Sequence, residues 1–260
     1  RRSSPFCVHY LSGTASRHTL TCFVGRYGNH VMTERLILFD IDGTILVSGG
    51  ASFAGMARAS DELYGKHFSW QGIDSSGALD PLLFKEALHR NGVEASEVDY
   101  QRFHDLYVHY LPEELDRYRD RMRIMPGVHD LLAQLRDRSD VVVGLLTGNY
   151  TRTAQLKLEA AGFEWSWFEL GAFGEDGDAR RDLVPVAIER FSERFGKQIV
   201  GERVLIVGDT PRDVDCALAN DCQVLAVGTG IHSPEVLLKA GAHRVVSDLT
   251  DPEPLFDMLR

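Results

Sequence analysis

Cysteine is scarce in this sequence. Its 260 residues contain four, Cys7, Cys22, Cys216 and Cys222, and no two of them form a C-x-x-C pair. A disulfide-stabilised secreted domain would carry more cysteines at regular spacings. The shortage therefore favours a reducing, cytoplasmic location.

Long apolar runs and an excess of positive charge are also missing. No run approaches the length of a membrane span. Lys and Arg number 28 against 38 Asp and Glu, which gives a net charge of −10. A protein that binds a nucleic-acid backbone needs a basic face, so we expect neither a membrane nor a nucleic-acid partner. A small phosphorylated metabolite stays compatible with this charge, because a bound cation can set the field in one cleft. The oligomeric state stays open.

Acidic residues are absent from the first 31 positions, which are basic, rich in Ser and Thr and without a clear period. The segment resembles a transit-type presequence in being acid-poor and Arg-containing. It is equally compatible with an upstream extension outside the natural reading frame, because Met32 opens the compact phrase MTERLILFDIDGT. We favour the second interpretation and expect no chemistry from residues 1–31.

The stretch LILFDIDGT, residues 36–44, organises the rest of the chain. Its first four residues form the continuous apolar run of a strand buried on both faces. Asp40 and Asp42 follow at the carboxyl end of that strand, where open α/β sheets bind ligands. One carboxylate there can act as a nucleophile or hold a cation, and the second can transfer protons. Thr44 offers a hydroxyl close to both, although the same residue types also occur in ordinary turns.

Helical patterns dominate from Phe53 to Arg123, and no strand signal interrupts them. We expect separate helices over Asp80–Asn91, Ser96–Leu111 and Pro112–Arg121, with Asp80 as an N-cap. Beyond Pro126, strands and helices alternate, including a strand over Trp167–Phe173. This alternation predicts an α/β fold with a doubly wound, parallel, Rossmann-like sheet and a small inserted α-helical cap. The expected division is an extension at 1–31, a core at 32–48 and 124–260, and a cap at 49–123.

Three predicted strands end in polar signatures. They are Asp40 with Asp42, the run Thr147-Gly148-Asn149, and Asp209-Thr210 with Asp213. The ends of adjacent parallel strands converge on one crevice. So many carboxylates in one crevice would be electrostatically costly without a cation, and their hard oxygen ligands suit Mg²⁺.

The motifs FDIDGT at 39–44, LLTGN at 145–149 and VGDTPRD at 207–213 resemble those of the haloacid dehalogenase superfamily. The likeness is to its branch of phosphoglycolate-phosphatase-like hydrolases, covers Glu34 to the C-terminus, and places a cap where the helical block lies. It implies Asp40 as the nucleophile that becomes phosphorylated and Asp42 as the general acid and base.

The resemblance also implies how ligands are held. Its metal site comprises Asp40, Asp42 through its main-chain carbonyl, Asp209 and Asp213, the last orienting metal-bound water or the basic partner. Its phosphate site comprises Thr147, Gly148 and Asn149.

One part of the family pattern departs here. The usual Lys-Pro before the third signature is replaced by ARRDLVP at 179–185. An arginine can neutralise the nucleophile and the phosphoryl charge. We expect Arg181 in this role, with Arg180 as the substitute.

A loop of the predicted cap is the candidate for substrate discrimination. Ser75, Ser76 and Gly77 precede a helix, and amides at a helix start can meet an anion. We expect these three residues to bind the substrate.

The resulting expectation is a Mg²⁺-dependent phosphatase for a small, phosphoglycolate-like phosphomonoester. The alternatives are a phosphomutase of the same superfamily, similar to β-phosphoglucomutase, a metal-free 2-haloacid dehalogenase, and a binding protein without catalysis. Asp42 favours a phosphatase over a dehalogenase, because an acid at this position is useful when an oxygen leaving group must be protonated.

Overall fold

The computed structural model describes residues 35–260, so the predictions made for residues 1–31 lie outside the described part of the chain. The strands are β1 (Arg35–Phe39), β2 (Leu46–Val47), β3 (Arg123–Ile124), β4 (Val141–Leu146), β5 (Leu170–Ala172), β6 (Val204–Gly208), β7 (Gln223–Val227) and β8 (Arg244–Val246). The helices are α1 (Ala51–Tyr64), α2 (Asp80–Arg90), α3 (Glu97–Arg117), α4 (Val128–Arg136), α5 (Thr151–Ala160), α6 (Leu183–Phe195), α7 (Pro211–Leu218), α8 (Pro234–Lys239) and α9 (Glu253–Met258).

A six-stranded parallel sheet with the order β5-β4-β1-β6-β7-β8 forms the core. Residues 36–39 of β1 are fully buried and alternate between its faces. Ile37 and Phe39 pack on one face with residues of α4, α5 and α9. Leu36 and Leu38 pack on the other with residues of α6, α7 and α8. The sheet is thus doubly wound, as the sequence predicts, because a strand covered on both sides must be apolar at every position.

The inserted helical region contains α1, α2 and α3, which share a separate apolar core. Its two connections to the sheet domain pair with each other as the antiparallel strands β2 and β3, Leu46 lying opposite Ile124. This two-strand ribbon was not predicted, because two-residue strands leave no periodic signal.

Other elements also differ from expectation. The predicted separate helix at Pro112–Arg121 is wrong, because α3 continues through Pro112 to Arg117. The predicted strand over Trp167–Phe173 is shorter, since residues 165–167 form a 3₁₀ turn and β5 begins at Leu170. Helix α9 was not predicted. None of the helices within residues 35–260 is both long and apolar enough to cross a membrane.

The register of the sheet brings the three polar signatures together. Phe39 lies opposite Leu145 of β4 and Val207 of β6. The residues that follow these three positions therefore leave the sheet side by side at its carboxyl edge.

Candidate active site

Asp40 lies at the centre of this edge. Its backbone amide donates a hydrogen bond to the carbonyl of Val207 at 2.9 Å, which continues the parallel ladder by one residue. Its carboxylate is 3% exposed and lies 2.9 Å from Nη2 of Arg180. The strand thus fixes the backbone of Asp40, and the arginine orients its side chain.

A tight turn after Asp40 brings Gly43 and Thr44 against Asp209. Gly43 has a φ of 87°, and a Cβ there would lie 2.4 Å from Oδ2 of Asp209. Only glycine combines this backbone with such a close approach. The next residue, Thr44, donates from its hydroxyl to Oδ1 of Asp209 at 3.1 Å, so the carboxylate it contacts is that of the third signature.

Asp213 is held by the start of α7. Thr210 is the N-cap, Pro211 occupies the first turn, and Asp213 closes a capping box. The hydroxyl and amide of Thr210 donate to Oδ2 of Asp213 at 2.6 and 3.0 Å, and Nη2 of Arg180 donates to Oδ1 at 2.5 Å. Both carboxylate oxygens therefore have protein partners, which suits an orienting role more than direct metal ligation.

The carboxylates of Asp40, Asp209 and Asp213 have oxygens within 4.8 Å of one another, and all three side chains are buried. Among residues 35–260, the one guanidinium in contact with this cluster is Arg180. Burial is the main cause that raises the pKa of Asp40 from 3.8 to about 6, against the opposing charge of Arg180. Burial and the neighbouring carboxylates together raise the pKa of Asp209 from 3.8 to about 8. The cluster thus has three carboxylates and one guanidinium. Its oxygen donors fit a divalent cation such as Mg²⁺.

The expected placement of Arg181 in the site is wrong. Its guanidinium pairs with Asp215 at 2.9 Å, and both side chains are more than half exposed. The substitute, Arg180, is 7% exposed and contacts Asp40 and Asp213. The two arginines lie in a 3₁₀ turn, in which adjacent side chains point in different directions.

The β4 signature lies beside Asp42. Thr147 is fully buried, and Nδ2 of Asn149 donates to its hydroxyl oxygen and to Oδ2 of Asp42, both at 2.7 Å. Gly148 lies against the inserted helical region, because a Cβ there would be 1.9 Å from the carbonyl oxygen of Ala78. The sheet edge thus brings Thr147, Gly148 and Asn149 to Asp42, as expected from the motifs.

Lys157 is a site residue that the sequence analysis missed. Its side chain is 2% exposed, and Nζ donates to Oδ2 of Asp42 at 2.7 Å and also to Oδ1 of Asn149. The residue lies on the buried side of α5 with Ala154 and Leu158. The sequence signal for it was a lysine at an otherwise apolar position of a helix. Such a residue indicates a buried acidic partner, because a lysine is rarely buried without one.

The loop before α2 touches the core, but its residues differ in placement. Ser75 and Gly77 line a cleft above Asp40, and the carbonyl of Gly77 accepts from Nη1 of Arg180 at 3.1 Å. The carbonyl of Ser76 accepts from Arg212 on α7.

The expectation that Asp80 is an N-cap is wrong. Leu79 is the N-cap of α2, and Asp80 is its first residue. The amide of Asp80 donates to the carbonyl of Gly148 at 2.7 Å, and its carboxylate accepts from the amide of Tyr150 at 3.3 Å. Asp80 therefore connects α2 to the loop between β4 and α5.

These side chains surround a cleft of about 800 Å³ between the sheet edge and the helical region. Asp40, Asp42, Thr147, Gly148, Asn149, Lys157 and Arg180 all line it. The arrangement offers a buried carboxylate beside the guanidinium of Arg180, a second carboxylate fixed by Lys157, and hydrogen-bond donors for an anion. Such a set suits nucleophilic attack on a phosphoryl group.

Comparison with known proteins agrees with this geometry. Residues 37–218 match the haloacid dehalogenase-like hydrolase family. A phosphoglycolate phosphatase from Mesorhizobium japonicum is 26% identical over 208 residues, which cover 76% of this chain and 85% of that protein.

Solved structures share the fold. A predicted phosphoglycolate phosphatase from Haemophilus somnus 129pt has a TM-score of 0.63 and 19% identity, covering 87% of this chain and all of that one. β-Phosphoglucomutase from Clostridium difficile has a TM-score of 0.62 and 17% identity, covering 88% and 97%. This chain therefore shares its fold with a predicted phosphatase and with a mutase. The family match, together with the polar signatures at the ends of β1, β4 and β6, shows that this chain belongs to the haloacid dehalogenase-like hydrolases.

Proposed function

We propose that the protein is a Mg²⁺-dependent phosphatase that hydrolyses a small phosphomonoester through a phosphorylated Asp40. The observation that supports this most directly is the buried cluster of Asp40, Asp209 and Asp213, which has a deficit of positive charge and reaches the cleft through Asp40. In this proposal residues 32–48 and 124–260 form the catalytic core, and residues 49–123 form the cap.

Asp40 is the nucleophile. Its carboxylate lies at the floor of the cleft, and its contact with Arg180 leaves one oxygen for attack on phosphorus. Attack forms an acyl phosphate on Asp40 and breaks the bond from phosphorus to the alcohol oxygen. The cation would be held by Asp40, Asp209 and the main-chain carbonyl of Asp42. When bound, Mg²⁺ supplies charge neutralisation that lets an anionic nucleophile approach an anionic phosphoryl group.

Asp42 transfers the proton. Its side chain is 42% exposed towards the cleft, and Lys157 and Asn149 fix one of its oxygens. The protonated form donates to the leaving alcohol, and the resulting carboxylate takes a proton from the water that cleaves the acyl phosphate. This use of Asp42 favours a phosphatase over a metal-free dehalogenase, in which no alcohol leaves.

Anion binding falls to the remaining groups. The hydroxyl of Thr147 and the amide of Gly148 offer hydrogen bonds to phosphoryl oxygens, and Asn149 anchors Thr147 and Asp42 together. Arg180 supplies a fixed positive charge beside the nucleophile. Because these donors are already oriented, little reorganisation is needed as charge moves during the reaction.

The decisive experiment measures phosphate release from p-nitrophenyl phosphate by the full-length protein, first in EDTA and then with added Mg²⁺. We expect no turnover in EDTA, turnover with Mg²⁺, and none for Asp40→Asn, whose amide is isosteric but not nucleophilic. Full activity in EDTA, or none under any metal condition, would contradict the proposal. A mutase would instead return the phosphoryl group to a second hydroxyl of the substrate, which phosphorus NMR of the product distinguishes from free phosphate.

A further inference from the structure

The cleft extends well beyond the groups that hold the phosphoryl moiety. Its volume of about 800 Å³ lies in the upper part of the range for sites that enclose drug-sized molecules. A two-carbon phosphorylated acid would fill a small part of that space. Because enzymes discriminate substrates through groups that contact the variable part, the rest of the lining is informative.

The cleft is large even though the loop before α2 contacts the core. Asp80 donates to Gly148 at 2.7 Å, and Gly77 accepts from Arg180 at 3.1 Å. Arg212 also holds this loop, with Nη2 3.1 Å from Asp74. The space therefore exists while the loop before α2 is already in contact with the core.

One wall of the cleft is apolar. Phe53 and Met56 of α1, Leu83 of α2 and Val47 of β2 line it. Met56 and Leu83 are 2% and 6% exposed, so their positions are fixed by packing, whereas Phe53 is 37% exposed. An apolar portion of a ligand would gain by covering this wall, because it removes hydrocarbon from water on both sides.

The returning connection of the cap adds two arginines. Arg121 and Arg123 line the same cleft, and in the described part of the chain neither forms an ion pair with a carboxylate. Lys157 and Arg180, by contrast, are paired with Asp42 and Asp40. The exposed carboxylate of Asp120 also lines the cleft, so this rim keeps one positive charge in excess. Such a rim attracts a second anionic group at a distance from the phosphoryl site.

We propose that the substrate is a phosphomonoester whose alcohol is larger than a two-carbon acid and combines an apolar segment with a terminal carboxylate or phosphate. The apolar segment lies against Phe53, Met56 and Leu83, and the terminal anion is received by Arg121 and Arg123. This inference rests on the proposed phosphatase function and specifies its substrate class. The residues that distinguish one substrate from another then lie mainly in α1 and the returning connection, and not in the loop at Ser75–Gly77.

The test compares synthetic phosphomonoesters that differ in one feature at a time. The probes are phosphoglycolate, propyl phosphate, hexyl phosphate and 6-phosphonooxyhexanoate, which is hexyl phosphate with a terminal carboxylate. We expect kcat/KM to rise about tenfold from propyl to hexyl phosphate because of the apolar wall. We expect about a further tenfold for 6-phosphonooxyhexanoate, since a hydrogen bond between its carboxylate and an arginine of the cleft is of that order.

Variants assign these gains to residues. In the double variant Arg121→Met, Arg123→Met, the ratio of kcat/KM for 6-phosphonooxyhexanoate to that for hexyl phosphate should fall about tenfold. In Phe53→Ala, the ratio for hexyl to propyl phosphate should fall severalfold. The matched control is Arg119→Met, because Arg119 lies in the same 3₁₀ turn as Arg121 but pairs with Asp116 outside the cleft. Its ratios should stay within about twofold of wild type.

Phosphoglycolate being the best of the four probes, or ratios that the arginine variants leave unchanged, would overturn the inference. Failure of the phosphatase function looks different, because no probe would release phosphate. Calorimetric binding to Asp40→Asn then decides the inference by itself. Tighter binding of 6-phosphonooxyhexanoate than of hexyl phosphate, lost in the arginine double variant, supports the inference without hydrolysis, and equal binding of the two overturns it.

Discussion

At the scale of single residues, adjacent Arg180 and Arg181 offer a matched test of the site. Arg180→Met removes the guanidinium that contacts both Asp40 and Asp213, whereas Arg181→Met removes an exposed ion pair with Asp215. We expect kcat to fall by about 10²–10³ in the first variant, as for other losses of a fixed charge-stabilising donor. The second should stay within twofold of wild type.

Steady-state kinetics with p-nitrophenyl phosphate measures this difference, and circular dichroism confirms that both variants are folded. Equal activity of the two variants would show that the buried contact of Arg180 has no part in turnover.

Lys157 differs from Arg180 because it acts through Asp42. Lys157→Met keeps the bulk of a buried side chain but removes the donor that fixes the Asp42 carboxylate. Protonation of the leaving group matters for an alkyl phosphate and much less for p-nitrophenyl phosphate, whose phenolate leaves readily. We expect kcat to fall by about 10² on hexyl phosphate and by less than about fivefold on p-nitrophenyl phosphate.

Asp42→Asn is the reference variant for this measurement, and it should show the same dependence on the leaving group. Equal losses on both substrates in Lys157→Met would mean that the lysine supports the fold and does not position the acid.

At the scale of elements, the first turn of α2 is joined to the loop before α5 by Asp80. Burial raises the pKa of Asp80 from 3.8 to about 7, although Lys157 opposes this shift. A carboxyl whose pKa is raised by folding favours the folded state below its unfolded pKa and loses that contribution as the pH rises through the folded value. The wild-type protein therefore loses stability between about pH 4 and pH 7 through this group.

Asp80→Asn should remove that loss, because an amide does not titrate and its oxygen can still accept from Tyr150. Urea unfolding at pH 5 and pH 9 in EDTA measures the free energy of unfolding of the variant and of the wild type. The stability of the variant relative to wild type should rise by on the order of 2–4 kcal/mol, at ~1.4 kcal/mol for each unit of pKa shift. Asp74→Asn is the control, since hydrogen bonds to Ser76 lower the pKa of Asp74. A relative stability of Asp80→Asn that does not change with pH would contradict the assignment.

At the scale of the whole molecule, the carboxylate cluster joins β1, β6 and α7, so a cation bound there should stabilise the fold. Binding to the native state alone adds about 2.7 kcal/mol at a Mg²⁺ concentration a hundredfold above Kd. For a chain of this length we expect the Tm to rise by roughly 5–10 °C over its value in EDTA.

Differential scanning calorimetry of Asp209→Asn provides the contrast. This variant should gain little from Mg²⁺ and should be more stable than wild type in EDTA, because it lacks the carboxylate with the least compensated charge. Asp215→Asn, an exposed position on α7, should keep the wild-type response to Mg²⁺. A full Mg²⁺ response in Asp209→Asn would place the cation elsewhere.

The core of this protein follows from patterns in neighbouring residues of the chain. A strand that is buried on both faces must be apolar throughout, so LILF at 36–39 could be recognised without a partner. Parallel strands open at one edge, so the motifs at Asp40, Thr147 and Asp209 could be assigned to one crevice. These features could be predicted from short stretches of sequence, because each depends on residues that are adjacent in the chain.

Which side chains of the site contact one another depends on the packing of distant segments. Arg180 and Arg181 are neighbours of the same type, and only the packing of their turn against α7 buries the first and exposes the second. Lys157 follows Asp42 by more than a hundred residues, and no local pattern connects them. Contacts between distant segments depend on how helices and loops pack, and that packing minimises the free energy of the whole chain, which no short stretch of sequence specifies.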